Sequence, residues 1–220
     1  MEGPGEMIRI WLLVAIAALL PSAALAAQPP LCKAEKSAGW PNNYDVIAEC
    51  RYHFASPVHG LAVDVDDEGS FTLVDGDQKT VLAPFSGPSQ IAWALNGRYF
   101  YINDGEGSGL DSALNLYDLG GGRIVDNLTI RRDLDRIFAS KLYCKVDYKI
   151  PTTWGMGWSP DVTKLYVLLQ SLPGEYCKDE ADFYVATVEL PSGKILAFEP
   201  APAARRKFRA MLPANMRKPD

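Results

Sequence analysis

The sequence predicts an all-β domain in which small antiparallel sheets stack face to face. A phrase made of a β-run, a tight turn and a second, largely apolar β-run occurs three times, over residues 61–74, 91–102 and 156–169. Trp93 and Trp158 fall at the same place in their copies, and we expect both to be core residues between sheets. Units of this size cannot bury their own apolar faces and must pack on a neighbour. The pattern therefore indicates about three four-stranded units.

Residues 1–26 are predicted to be a signal peptide. Residues 10–20 form an unbroken apolar run, which the small-x-small sequence Ala24-Leu25-Ala26 follows. The run is too short to span a bilayer, so we expect no transmembrane anchor. Met7 is an alternative start, because the segment before it carries acidic rather than basic charge. The mature chain is expected to be exported, either periplasmic or secreted.

The mature domain, residues 27–199, is predicted to consist of short strands separated by turn residues such as Asp66-Asp67-Glu68-Gly69 and Asn96-Gly97. The expected strands cover 46–54, 61–66, 70–75, 80–83, 90–95, 98–103, 113–118, 123–128, 154–158, 164–170, 182–189 and 194–198. Residues 99–102 and 165–169 are apolar on both faces, which is typical of strands covered on both sides.

Two short helices are predicted outside the sheets. Leu134, Ile137 and Phe138 recur at helical spacing and predict an inserted helix over 132–142. A second, C-terminal helix is expected over 203–212, within the basic tail of residues 200–220.

The third copy resembles a known blade. Trp158-Ser-Pro-Asp161 followed by Lys164-Leu-Tyr-Val167 is similar to the W-S-P-D-G-x-x-L-Y-V signature of TolB-type β-propellers. Gly60–Asp64 with Phe71–Asp75 is similar to blade openings in other extracytoplasmic propellers. The chain departs from the pattern at Val162, where a turn glycine is usual. The resemblance implies a β-propeller-like fold over residues 60–198, and it implies no activity because propellers host many functions.

The resemblance predicts a partial or small propeller-like array of about three four-stranded blades, whereas closed propellers have about four to eight. Three blades leave an open edge, for which there are three interpretations. In the first, the N-terminal loop and the C-terminal helix cap the edge. In the second, another copy of the chain or another protein pairs with it, so that the chain is a homo-oligomer or part of a complex. Alternatively, the strands form a twisted sandwich rather than blades.

The four cysteines all lie in the mature part of the chain. An even number in an exported chain favours disulfides over the alternative of free thiols. Spacing favours the pairs Cys32–Cys50 and Cys144–Cys177. No C-x-x-C pair is present, so a zinc site is not suggested.

Three long insertions, over 104–112, 131–153 and 171–181, belong to connections that emerge on one side of a four-stranded blade. Insertions concentrated on one side mark the binding face in repeat folds. The predicted binding residues on that face are Asp104, Glu106, Asp111, Tyr143, Tyr148, Glu175 and Tyr176. The alternative is that the loops only cover the end of a small domain.

Candidate metal and catalytic chemistry is sparse. Asp64, Asp66 and Glu68 fit the opening of a calcium loop, but Asp75 replaces the glutamate of the twelfth position, so a polar hairpin turn is the expectation. An alternative metal site would consist of His53, His59 and Asp64. No Gly-x-Ser-x-Gly elbow or phosphate loop is present. We therefore predict no catalytic residue, no cofactor and no metal.

Charge divides the chain into an acidic body and a basic tail. Residues 27–199 carry 15 Lys and Arg against 24 Asp and Glu, and residues 200–220 carry six basic residues and one acidic residue. Nucleic acid is disfavoured by the acidic body, which suits a cationic protein partner. The tail is expected to dock on the acidic body, with an anionic membrane surface or an acidic partner as alternatives.

The function expected from these features is an exported, non-enzymatic protein-binding module, such as an envelope scaffold or an inhibitor or immunity-type partner. The alternative is a metal-dependent propeller hydrolase of the lactonase kind, which would use Asp64 and Asp66.

Overall fold

The computed structural model describes residues 30–47, 49–58, 60–82, 85, 87–105, 113–120, 128–141, 152–170 and 183–218. The predicted signal peptide lies outside them. The strands are β1 Glu35–Lys36, β2 Tyr44–Val46, β3 Tyr52–Ala55, β4 Leu61–Val65, β5 Phe71–Asp75, β6 Gln78–Val81, β7 Ser89–Trp93, β8 Tyr99–Asp104, β9 Ala113–Asp118, β10 Thr152–Trp158, β11 Lys164–Gln170, β12 Phe183–Glu189 and β13 Ile195–Pro200. The helices are α1 Leu128–Lys141, α2 Ala201–Lys207 and a short 3₁₀ turn, Ala214–Arg217.

The strands form three antiparallel sheets, which confirms the all-β prediction. The first sheet has the order β3-β4-β5-β6, the second β1-β2-β7-β8-β9 and the third β10-β11-β12-β13. The first and third sheets are simple meanders, because each strand pairs with the next along the chain. The second sheet is different, because β2 pairs with β7 although all four strands of the first sheet lie between them in the sequence.

The single strand predicted over 46–54 is wrong. The chain ends β2 at Val46 and begins β3 at Tyr52, and these strands belong to different sheets. Glu49, between them, has a φ of 70°, which turns the chain out of the extended conformation. The apolar alternation runs through this break because Val46 and Tyr52 bury their side chains in the same core cluster.

Both predicted helices are present. Helix α1 begins at Leu128, earlier than expected, and the strand predicted over 123–128 otherwise lies outside the described residues. Helix α2 ends at Lys207, and the turns that follow carry the apolar side chains of Phe208 and Leu212. None of the helices in the described ranges has the length and apolar character needed to cross a membrane.

The sheets pack face to face through strands that are covered on both sides. In β8, Phe100 and Ile102 join residues of the first sheet in one core cluster. Tyr99 and Tyr101 face the other way and join residues of the third sheet and α1. This alternation explains why the strand is apolar on both faces.

The third sheet is covered on its other face by the C-terminal segment. Leu168 and Phe183 of the sheet cluster with Ala204, Phe208 and Leu212, which are all buried. The tail thus packs on its own domain, and apolar contacts dominate this packing. One ion pair adds to it, with 2.9 Å between Nζ of Lys207 and Oε1 of Glu199.

Candidate functional site

The strand ends that flank the long insertions lie together, and we call this region the loop-bearing end. At the end of β8, Asp104 pairs in register with Ala113 at the start of β9. In the third sheet Gln170 pairs with both Thr152 and Phe183. The backbone N–H of Leu114 donates to Oγ1 of Thr153 at 3.1 Å, which joins the two sheets at this end. The insertions between these strand ends therefore begin and end in the same region of the domain.

Helix α1 also runs toward the loop-bearing end. A Cβ placed on Gly193, in the β12–β13 turn at the opposite end, would lie 2.9 Å from Ile130. Later in the helix, the ring of Phe138 lies 5.9 Å from that of Tyr184 near the start of β12. The helix therefore carries the chain from the far end of the third sheet to the loop-bearing end.

Only part of the predicted binding set can be placed. Asp104 is half-buried at the last position of β8, where the loop-bearing end begins. The other predicted binding residues lie outside the described residues; they are Glu106, Asp111, Tyr143, Tyr148, Glu175 and Tyr176. The predicted Cys32–Cys50 disulfide is confirmed. Cys144 and Cys177 also lie outside the described part of the chain.

Beneath the loop-bearing end lies a buried polar network that the sequence analysis missed. Nδ2 of Asn43 donates to Oε1 of Gln90 at 2.8 Å and to the carbonyl of Gly155 at 3.1 Å. The hydroxyl of Tyr101 donates to Oδ1 of Asn43 at 2.5 Å. Burial raises the pKa of Tyr101 well above its ordinary value, so the phenol stays protonated and remains a donor.

The network ties three parts of the chain together. Asn103 donates to the carbonyl of Gly155 at 3.0 Å and accepts from its N–H at 2.7 Å. Nε1 of Trp154 donates to Oε1 of Gln90 at 2.9 Å, and Nε2 of Gln90 donates to Asp45 at 2.6 Å. Because buried polar groups are stable only when paired, this network fixes the N-terminal segment and β10 against the second sheet.

Gly155 is required where β10 crosses the second sheet. A Cβ at this position would lie 2.7 Å from the ring of Tyr101. Polar residues at the ends of apolar runs, Gln90 and Asn103, were the only sequence sign of the network. Their partners are distant in sequence, and periodicity gives no information on such pairs.

The residues considered for metal binding lie on the first sheet. Nδ1 of His53 and Oδ1 of Asp64 are 2.7 Å apart across β3 and β4. His59 lies outside the described residues. Oδ1 of Asp66 accepts the backbone N–H of Glu68 at 3.0 Å and of Ser70 at 2.8 Å. Asp66 therefore closes its own hairpin turn. The described ranges contain no group of three or more His, Cys, Asp or Glu side chains placed to hold a metal.

The two repeated tryptophans pack between sheets. Trp158 of the third sheet lies against Tyr101 of the second, with 5.2 Å between ring centroids. Trp93 of the second sheet donates from Nε1 to the carbonyl of Phe54 in the first at 3.1 Å. Both residues are therefore part of the sheet-to-sheet contact, as predicted.

No protein-family model, no curated protein and no solved structure matches the chain. The likeness to propeller blades thus depends on the residues quoted for it, and a function has to be argued from the geometry of the chain itself.

Proposed function

We propose that this chain is an exported, non-enzymatic module that binds a protein partner through its loop-bearing end. The observation that carries the proposal is the convergence of Asp104, Ala113, Thr152, Gln170 and Phe183 at one end of two packed sheets. Residues 106–112, 142–151 and 171–182 are attached there. Insertions gathered on a rigid scaffold are the usual construction of a binding surface.

We further propose that the three sheets are blades of a small propeller-like array. The face-to-face packing supports this interpretation, and so do two of the turns. In the β7–β8 and β10–β11 turns, the N–H of Gly97 and that of Val162 each donate to a carbonyl three residues earlier at 2.9 Å. The next N–H in each turn donates to the side chain of Asn96 or Asp161, at 3.0 and 3.2 Å.

Charge favours a cationic partner. The acidic excess of residues 27–199 would attract a basic protein and raise its association rate. An envelope scaffold and an inhibitor or immunity-type protein both suit a small module of this kind. The metal-dependent hydrolase receives no support from the described residues, because the carboxylates of Asp64 and Asp66 bond to His53 and to their own turn.

A second disulfide, Cys144–Cys177, would brace the binding surface. Cys144 follows the end of α1 at Lys141 by three residues, and Cys177 precedes β12 by six. At about 3.3–3.6 Å of chain per residue, connections of three and six residues would be compatible with this pair. Peptide mapping of the unreduced protein is expected to recover this pair. Alkylation of both cysteines as free thiols would contradict it.

The binding proposal is tested by replacing residues 106–111, or separately 172–181, with a short Gly-Ser linker. Each bait is incubated with periplasmic extract. The control replaces Ser192 and Lys194 by alanine in the short β12–β13 turn at the opposite end. A partner captured by the wild type and the control, and lost from either loop variant, would support the proposal. Equal capture by all four baits, or capture of nothing specific by the wild type, would count against it.

A further inference from the structure

The outward face of the first sheet carries an open groove of about 340 Å³. Its floor is a row of polar side chains on adjacent strands. His53 of β3 is in register with Asp64 of β4, and Asp64 is in register with Thr72 of β5. Lys79 of β6 lines the same groove. Four neighbouring strands thus present their side chains to one concave surface.

One wall of the groove comes from the N-terminal segment. Leu31 forms a parallel bridge with Arg51, and the N–H of Cys32 donates to the carbonyl of Arg51 at 2.8 Å. The Cys32–Cys50 disulfide fastens this segment to the chain that enters β3. The side chain of Leu31 is 66% exposed at the rim. The wall is therefore held by covalent and backbone bonds and not by burial of Leu31.

Oδ1 of each groove carboxylate already has a partner, whereas several donors that line the groove have none among the described residues. Asp64 bonds to His53, and Asp66 bonds to the N–H groups of its own turn. No described residue bonds to Nζ of Lys79, to Oγ1 of Thr72 or to Nε2 of His53. The donors on Lys79 and Thr72 would complement a ligand group that supplies acceptors and negative charge, provided that it contacts Arg51 and Lys79 rather than the carboxylates of Asp64 and Asp66. We propose that the groove binds a small molecule through an oxyanion, either a carboxylate or a phosphate.

The test uses the whole mature protein and two probes, inorganic phosphate and succinate, at constant ionic strength. The chain contains two histidines, so the imidazole NMR signal of His53 is assigned by its loss in His53→Gln. A saturable shift of that signal is expected, and Lys79→Met is expected to weaken binding about tenfold or more, because it removes a charge-assisted hydrogen bond. Lys36→Met, on β1 of the second sheet, is the matched control and should leave the affinity unchanged.

The two probes separate the two sources of the oxyanion. A response to phosphate alone assigns a phosphate ligand, a response to succinate alone assigns a carboxylate, and a response to both assigns the shared chemistry. Absence of a saturable shift with either probe would overturn the proposal. So would equal affinity in wild type and Lys79→Met, with the Lys79→Met fold verified by its circular dichroism. These results do not bear on the loop-bearing end, whose partner is tested by capture.

Discussion

At the scale of single residues, Val162 combines an unfavourable backbone with a buried side chain. Its φ is 56°, a left-handed conformation that β-branched residues rarely adopt. Gly97, which occupies the same place in the β7–β8 turn, has a φ of 65°. The side chain of Val162 is only 7% exposed and belongs to the core between the second and third sheets. Burial of this side chain therefore offsets the strain of the turn.

This combination predicts an unusual order of stability. Val162→Ala loses the buried methyl groups and keeps the strain, whereas Val162→Gly loses them and removes the strain. The glycine variant is therefore expected to be more stable than the alanine variant by about 1 kcal/mol, measured by urea unfolding. Thr163→Ala and Thr163→Gly, one residue later, are the controls and should show the ordinary order with alanine ahead. An alanine variant at 162 that equals the glycine variant would contradict this account.

Asp161, in the same turn, gives a prediction about pH. The hydroxyl of Ser159, the N–H of Thr163 and the hydroxyl of Thr163 donate to its carboxylate at 2.6, 3.2 and 2.9 Å. These bonds lower the pKa of Asp161 to about 2. Since the folded state binds this proton less strongly than the unfolded state, the stabilisation is present above the ordinary carboxyl pKa and is lost as pH falls to about 2.

The measurement compares Asp161→Asn with Asp161→Ala at about pH 7 and about pH 3. Asparagine keeps the acceptor, as Asn96 does in the β7–β8 turn, so this variant should remain close to the wild type at the higher pH. Alanine should lower the melting temperature at that pH. Both variants should lose less stability than the wild type on acidification. A carboxyl NMR titration that places Asp161 in its ordinary range would contradict the prediction.

At the scale of elements, the N-terminal segment is an addition to two sheets at once. It forms β1 and β2 at the edge of the second sheet and lies beside β3 of the first through Leu31. The disulfide between Cys32 and Cys50 spans a sequence separation of 18. A cross-link of this length limits the freedom of the unfolded chain.

Replacing Cys32 and Cys50 together by alanine is expected to lower the free energy of unfolding by about 3 kcal/mol. The double variant avoids a lone thiol, and urea unfolding without reductant gives the value. Lys36→Ala, on the exposed β1, is the control and should change stability by less than about 0.5 kcal/mol. If the double variant unfolds at the urea concentration of the wild type, the segment is held by its hydrogen bonds alone.

Most strands were predictable because alternating apolar residues and glycine turns are local signals. The prediction failed over residues 46–54 because β2 and β3 bury side chains in one cluster, so the pattern continues through the break between them. Asp104, predicted as the first residue of the insertion over 104–112, is instead the last residue of β8. The pairing of Asn43 with Gly155, separated by 112 residues, was not predictable, since no local pattern reports which distant strands pack together.

At the scale of the whole molecule, the two outer faces of the stacked sheets differ in how they meet the solvent. The outward face of the first sheet carries His53, Asp64 and Thr72 in one row, which ends at a single exposed apolar residue, Val81. The outer face of the third sheet is apolar and is covered by Phe208 and Leu212 of the C-terminal segment. Within the described residues, neither outer face therefore requires a second copy to shield it from water.

This arrangement predicts that the mature protein is a monomer, in contrast to the alternative of self-association across an open edge. Light scattering coupled to size exclusion should give the mass of one chain across about a hundredfold range of concentration. A mass that doubles within this range would contradict the interpretation that the stack is complete.

The C-terminal segment is expected to contribute strongly to stability. Phe208→Ala removes a side chain that is 5% exposed and should cost about 3–5 kcal/mol. The neighbouring Arg209→Ala is the control, because this side chain is exposed and should change stability by less than about 0.5 kcal/mol. Thermal or urea unfolding measures both. Equal effects of the two substitutions would show that the segment is not part of the cooperative unit.

The pairing of β2 with β7 has a consequence for biosynthesis. Chains emerge from the ribosome with the N-terminus first, so residues 44–46 are synthesised before residues 52–81, which complete the first sheet on their own. The second sheet can close only after β7 appears, and until then β1 and β2 can pair only with each other. In an oxidising compartment the Cys32–Cys50 bond can form during this interval. The bond would then hold the N-terminal segment beside the first sheet until β7 is available to pair with β2.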